Sequence, residues 1–211
     1  MARVIPLDNW DHNVILKSTI DQPNGKPTLN FTATKQFDYV WSSLNNAQSK
    51  NIPAFIWPWL AEQGSLTAKI QTLGKLTVNV ISDTWGPTTQ RERKKLKLRP
   101  REAARIREVI LNVDGQAIIY ARSIIPARSL KGHWRYLPKL GNQPLGGFLY
   151  KHKGLTRGDI EVSQLPSTLF SHINEATWAR RSVFYQYGQG ILVNEVFFPA
   201  IKPFLKLKDK S

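Results

Sequence analysis

Apolar and polar positions fall into two regimes along the 211-residue chain. Residues 1 to about 50 are rich in Asn, Thr, Ser, Gln and Asp, with a turn signal at Pro23-Asn24-Gly25. This part reads as an irregular N-terminal extension with one short strand, Thr28–Thr34. The denser pattern starts near Pro53. Phe55, Ile56, Trp57, Trp59 and Leu60 recur at helical spacing. Gly64-Ser65 breaks that pattern, and Ser65 is a suitable N-cap for a helix over Leu66–Leu73. Gly74 closes it, and Lys75–Ser82 alternates as a strand does.

The clearest local signal follows. Arg105–Val113 and Gln116–Ile125 flank Asp114-Gly115, a two-residue hairpin turn. Such a turn predicts the pairs Val113 with Gln116, Val109 with Tyr120, and Arg107 with Arg122. Arg107 then shares a face with Val109, Leu111 and Val113, and Arg122 shares it with Tyr120 and Ile118. Two like charges directly across a strand pair destabilise it. An anion held between them would offset this, and so would a solvated edge or an acid elsewhere.

Leu130–Leu140 reads as loop or short helix. Pro144 is predicted at the first position of a short helix running to Tyr150, whose first-turn N–H groups could hold an acceptor or form an ordinary turn. Thr156–Ser163 is a predicted strand. Ala176–Tyr187 and Gly190–Phe198 form a final pair around Gly188-Gln189-Gly190. On the last strand, Ile191, Val193, Glu195 and Phe197 fall on one face; Leu192, Asn194, Val196 and Phe198 fall on the other. A carboxylate at 195 is therefore at least partly buried and needs a partner. It is either salt-bridged to Arg180 or Arg181, or a hydrogen-bonding or proton-transfer group in a pocket. The run Trp178-Ala179-Arg180-Arg181-Ser182 is also consistent with a core tryptophan beside surface arginines. Together these elements predict one α+β domain on an antiparallel sheet, residues 51–201, between the extension 1–50 and a basic tail 202–211.

Composition narrows the chemistry. Lys and Arg number 30 against 15 Asp and Glu, giving a net charge of +15 and a pI near 10.2. Such an excess favours an anionic partner: nucleic acid, an acidic membrane surface or a small anion. Much of it lies in Arg91, Arg93, Lys94, Lys95, Lys97, Arg99, Arg101, Arg105 and Arg107. A solvated helix or loop accounts for that stretch better than a nucleic-acid or lipid patch, because aromatic residues for base stacking are not interleaved. The absence of cysteine excludes disulfides, Cys-zinc sites, iron–sulfur clusters and a Cys nucleophile. His12, His133, His152 and His172 are scattered without paired-ligand spacing, so no metal is expected. Phosphate-loop, dinucleotide-loop and serine-elbow motifs are missing. Neither a signal-peptide pattern nor a spanning apolar run is seen, and a cytoplasmic location is expected.

Six segments taken in order resemble the chorismate pyruvate-lyase family. They are Trp59-Leu60 with Gly64-Ser65-Leu66-Thr67; Arg107-Glu108-Val109-Ile110-Leu111; Ala121-Arg122-Ser123-Ile124-Ile125-Pro126; Leu140-Gly141 with Pro144-Leu145-Gly146; Trp178 to Ser182; and Leu192-Val193-Asn194-Glu195-Val196-Phe197-Phe198-Pro199. The resemblance implies an antiparallel sheet with helical flaps over an internal pocket. It implies conversion of chorismate to 4-hydroxybenzoate and pyruvate without cofactor or metal, as a first step toward a prenylquinone such as ubiquinone or plastoquinone. Arg107 matches the arginine that binds the ring carboxylate, and Glu195 the carboxylate that contacts the hydroxyl end of the ring. Leu66 and Leu145 match positions that meet the ligand largely through backbone groups, and Arg122 a second arginine lining the site. The extension and the basic stretch depart from the compact members of that family.

A monomer acting on a small molecule is the resulting expectation, with nucleic acid not a partner. A peripheral membrane contact through Lys202, Lys206, Lys208 and Lys210 is a secondary one. The competing class is a non-catalytic, effector-type ligand-binding domain of the same fold, associated with nucleic acid; the first fifty residues show no helix-turn-helix pattern to support it.

Overall fold

The computed structural model of the chain describes residues 38–49, 52–151, 153–170 and 173–206. The strands are β1 (Ser42–Ser43), β2 (Leu76–Gly86), β3 (Ala104–Val113), β4 (Gln116–Pro126), β5 (Leu155–Arg157), β6 (Glu161–Leu165), β7 (Thr177–Gln186) and β8 (Gln189–Phe197). They form one open antiparallel sheet of order β1-β6-β7-β8-β4-β3-β2, with β5 paired to β7 off that path. Helices α1 (Trp57–Leu60), α2 (Leu66–Gln71), α3 (Gln90–Leu96), α4 (Leu145–Leu149) and α5 (Lys202–Lys206) lie around it. The α+β antiparallel architecture is the one expected. The predicted strand Thr28–Thr34, the turn at Pro23, His12 and Lys208 and Lys210 of the tail lie outside the described residues. Among the described residues, no helix is long and apolar enough to cross a membrane.

The β3–β4 turn is where the pattern placed it. Asp114 (φ 48°) and Gly115 (φ 82°) both sit in the left-handed region that a type I′ turn requires. Val113 pairs with Gln116 as predicted. The register then departs: Asn112 pairs with Ala117 but Leu111 with Ile119, so Ile118 is the extra residue of a β-bulge. One extra residue moves every later side chain to the other face. Val109 consequently pairs with Ala121 and Arg107 with Ser123, while Arg122 sits across from Glu108. The predicted opposition of Arg107 and Arg122 does not occur. Alternation could not reveal the bulge, because both faces of this sheet are covered and both read as apolar.

Other boundaries shift for local reasons. The β7–β8 turn is Tyr187-Gly188, since Gln186 pairs directly with Gln189 and both turn residues take positive φ. The predicted strand Thr156–Ser163 divides into β5 and β6. Residues before 50 are not all extension: β1 pairs with β6 at the sheet edge, and the Leu44 amide donates to the Ile160 carbonyl at 2.9 Å. Their polar composition hides a two-residue edge strand. The basic stretch contains α3, started by a capping box between Thr89 and Glu92. At the other end, Pro199–Ile201 and α5 pack Ile201, Phe204 and Leu205 on the main core, so the first half of the expected tail belongs to the domain.

Two apolar layers result. On one face, Val78, Val109, Leu111 and Ile119 pack against Leu60, Leu66 and Ile70 from α1 and α2. On the other, Ile110, Tyr120, Val196 and Phe198 meet Leu169 and Phe170, and Ile106 and Ile124 meet Leu96 of α3. The first face carries a cavity.

Candidate active site

The cavity lies between the sheet and the pair α2 and α4. Its floor is Arg107, Val109 and Leu111 of β3, Ala121 and Ser123 of β4, Val193 and Glu195 of β8, and Arg180 and Phe184 of β7. These residues alternate along their strands and stand in register across them. Leu66 and Thr67 of α2 close it, with Gly64 just before that helix, as do Leu145, Gly146 and Leu149 of α4 with its flanking Pro144 and Tyr150.

Arg107 is almost fully buried, and its guanidinium is heavily engaged. One Nη donates to Asp83 at 3.1 Å; the other donates to the Gly141 and Gln143 carbonyls at 2.7 and 3.1 Å. Asp83 also accepts from Arg105 at 2.6 Å, so two guanidiniums share one carboxylate. That leaves one positive charge in excess at this end of the cavity.

Glu195 is partly buried, and its Oε2 accepts from Arg180 Nε at 2.6 Å. Of the two partners the sequence allowed, Arg180 is the one used. Arg181 points to the opposite face and pairs with Glu161 at 2.6 Å. Glu195 is thus salt-bridged and lines the cavity at the same time. Arg180 is itself fully buried, with Nη1 donating to the carbonyls of Trp59 and Glu62 at 2.9 and 2.8 Å.

Leu66 and Leu145 are the first residues of α2 and α4, and both line the cavity. Ser65 caps α2, its hydroxyl accepting from the Ala68 amide at 3.2 Å. Pro144 stands one place earlier than predicted, as the N-cap of α4. The helices pack tightly: a Cβ at Gly146 would fall 2.4 Å from the Thr67 hydroxyl. The Tyr150 hydroxyl donates to the Gln63 carbonyl at 2.8 Å and ties the two elements together. Burial raises the Tyr150 pKa, so the donor is kept. The enclosed space is ≈ 40 Å³, well below the roughly 300 Å³ of a typical small-molecule site.

Arg122 is not among the lining residues. It sits on the α3 face of the sheet, where Nε donates to Glu92 and Nη1 to Glu108, each at 2.9 Å. The Tyr120 hydroxyl donates to the same Glu108 oxygen at 2.5 Å. Burial opposes the Arg122 charge, but the adjoining Glu92 carboxylate outweighs it and raises the pKa. Burial and then Glu108 raise that of Tyr120. The bulge at Ile118 is the reason this arginine faces away. Sequence reasoning missed Arg180 as a cavity residue, and missed Asp83 as the partner of Arg107. A cross-strand register would have been needed to find either.

The chorismate lyase family model matches residues 38–206. The chain is 35% identical over 149 residues to the "Probable chorismate pyruvate-lyase" of Bordetella avium (strain 197N), covering 67% of this chain and 75% of that protein. It is 39% identical over 149 residues to that of Halorhodospira halophila (strain DSM 244 / SL1), covering 66% and 79%. Among solved structures, it is similar to the effector domain of PhnF from Mycobacterium smegmatis, with a TM-score of 0.48 and 13% identity over 65% of this chain and 90% of that one. On the family match and these identities, the chain belongs to the chorismate lyase family.

Proposed function

We propose that the protein is a chorismate pyruvate-lyase, releasing 4-hydroxybenzoate and pyruvate, and that 4-hydroxybenzoate goes on to a prenylquinone. The observation that carries this reading is the meeting of Arg107, Glu195, Leu66 and Leu145 around one cavity, each contributed by a different strand or helix. Chorismate is a dianion, and a buried guanidinium at an end of the cavity with one positive charge in excess suits its ring carboxylate. Arg107 takes that role, with Leu66 and Leu145 meeting the ring end near the start of their helices. Arg122 has no part in binding; it holds the opposite face.

Loss of the side chain makes the ring aromatic, so no strong nucleophile is required. The pocket holds the ether in a reactive conformer. The C3–O bond breaks, its electron pair becoming the pyruvate carbonyl, while the C4 hydrogen leaves and the enolpyruvyl methylene gains one hydrogen to become a methyl group. In direct transfer the C4 hydrogen itself is the one gained. Glu195, held by Arg180, assists if the hydrogen moves as a proton. Chorismate deuterated at C4 separates the routes: label in the pyruvate methyl supports direct transfer, and its complete absence excludes it. Turnover of chorismate by the purified protein, lost in Glu195→Ala, tests the assignment; undiminished turnover in that variant removes Glu195 from the reaction.

A further inference from the structure

The lyase reading leaves the second carboxylate of the dianion without a partner, now that Arg122 lies on the other face. We propose that the end of the cavity formed by Arg180 and Glu195, with Arg157 behind them, is a second anion subsite that takes the enolpyruvyl carboxylate; the inference rests on that reading.

Charge arithmetic is the first support. At the Arg107 end, Arg105 and Arg107 share Asp83. At the other end, Arg157 and Arg180 lie around Glu195, and nearby Glu62 is already paired with Lys69 at 3.0 Å. Each end therefore carries two guanidiniums against one carboxylate, an excess of one positive charge. The cavity as a whole matches a ligand with one negative charge at each end. A monoanion would satisfy only one of them.

Geometry is the second. Arg107 stands level with Ser182 across the sheet, through Ser123 and Val193; Arg180 is two residues along the same strand from Ser182, on the same face. Three strand spacings separate the backbones by about 14 Å, and two residues add about 7 Å along the strand. The side chains approach the cavity from opposite sides. Arg180 uses Nε for Glu195 and Nη1 for backbone carbonyls. Its Nη2 has no hydrogen-bond partner among the described residues, although the side chain lines the cavity.

Arg157 supplies the excess charge. Its Nε donates to the Ser182 hydroxyl at 3.0 Å and its Nη1 to the Glu62 carbonyl at 2.7 Å. It stacks 5.1 Å above the ring of Phe184, a lining residue. Burial, and after it the charge of Arg180, lowers its pKa. An incoming carboxylate relieves that repulsion. Arg157 is thus a specificity residue acting through the field at Arg180, and Arg180 is the group that touches the ligand.

The test separates the dianionic substrate from the monoanionic product. Chorismate KM and kcat, and the inhibition constant of 4-hydroxybenzoate, are measured for the full chain, Arg157→Gln and Arg180→Lys. Arg157→Gln is expected to raise the chorismate KM about tenfold, the effect of one charge removed from a partly buried site. It leaves 4-hydroxybenzoate inhibition within about twofold, because the product has shed the second carboxylate. Arg180→Lys keeps the charge but loses the grip on Glu195, so kcat falls as well. Both constants rising by the same factor would mean only structural loosening and would overturn the subsite, as would no change in either. If Arg180→Lys does not fold, Arg157→Gln decides alone. If the unsubstituted chain fails to turn chorismate over, the lyase reading fails separately, and calorimetric affinities for chorismate and 4-hydroxybenzoate in the same variants still decide the subsite.

Discussion

Replacing Arg122 with methionine tests whether this arginine supports the fold or the ligand. The side chain is 2% exposed, and its two acid partners, Glu92 and Glu108, are 1% and 7% exposed. Arg122→Met leaves both carboxylates buried without a cation. Breaking a buried pair in this way costs about 3–5 kcal/mol, a large part of the roughly 5–15 kcal/mol that holds a domain folded. With a urea slope of about 2 kcal/mol per molar, the unfolding midpoint should drop by about 2 M, read from tryptophan fluorescence. Adding Glu92→Gln and Glu108→Gln removes the stranded charges and should recover at least about half of that loss. Calorimetry on the folded variant should give 4-hydroxybenzoate affinity within about twofold of the original. A loss of about tenfold or more in affinity, with stability changed by less than about 1 kcal/mol, would return Arg122 to the ligand.

Three further outcomes follow from the geometry. Arg107→Ala should weaken chorismate and 4-hydroxybenzoate binding alike, by about tenfold or more; unchanged calorimetric affinity for either would remove Arg107 from the ring carboxylate. Gly146→Ala forces α4 away from Thr67, where the added Cβ would stand 2.4 Å from the hydroxyl; 4-hydroxybenzoate should dissociate faster in stopped-flow displacement, and an unaltered rate would show that α2 and α4 do not retain the product. Burial works against the charge of Glu161, but Lys95 and Arg181 outweigh it and depress its pKa. Its contribution to stability is complete above the unfolded value of about 4.3 and is lost as pH falls through the lower folded value. Glu161→Gln should therefore lower Tm at neutral pH and flatten its decline in acid, and an acid limb as steep as before would contradict the pairing.

Much of the fold was legible in the sequence because it rests on local signals. Asp114-Gly115 and Ser65 each set a turn or a cap within a few residues, and Glu195 fell on the correct face because β8 runs without interruption. What alternation could not carry was register. The bulge at Ile118 is invisible when residues on both faces are apolar, and it reversed the side on which Arg122 lies. The same limit hid Arg180: the sequence showed that Glu195 needed a cation and offered Arg180 or Arg181, but only the pairing of β7 with β8 chooses. The charge excess was legible as a total and misleading in place. The α3 stretch is tied into the fold through Glu92 and Lys95, whereas the arginines that line the cavity, Arg107 and Arg180, stand on β3 and β7.

Chemical turnover inside this cavity is read by following 4-hydroxybenzoate and pyruvate together after adding chorismate to the purified chain and to its Arg107→Ala variant. The unsubstituted chain should form the two products in equal amounts, and the variant should slow severely at the same substrate concentration. Chorismate bound by the unsubstituted chain but recovered intact would contradict the lyase reading, and would make the cavity a ligand-sensing site.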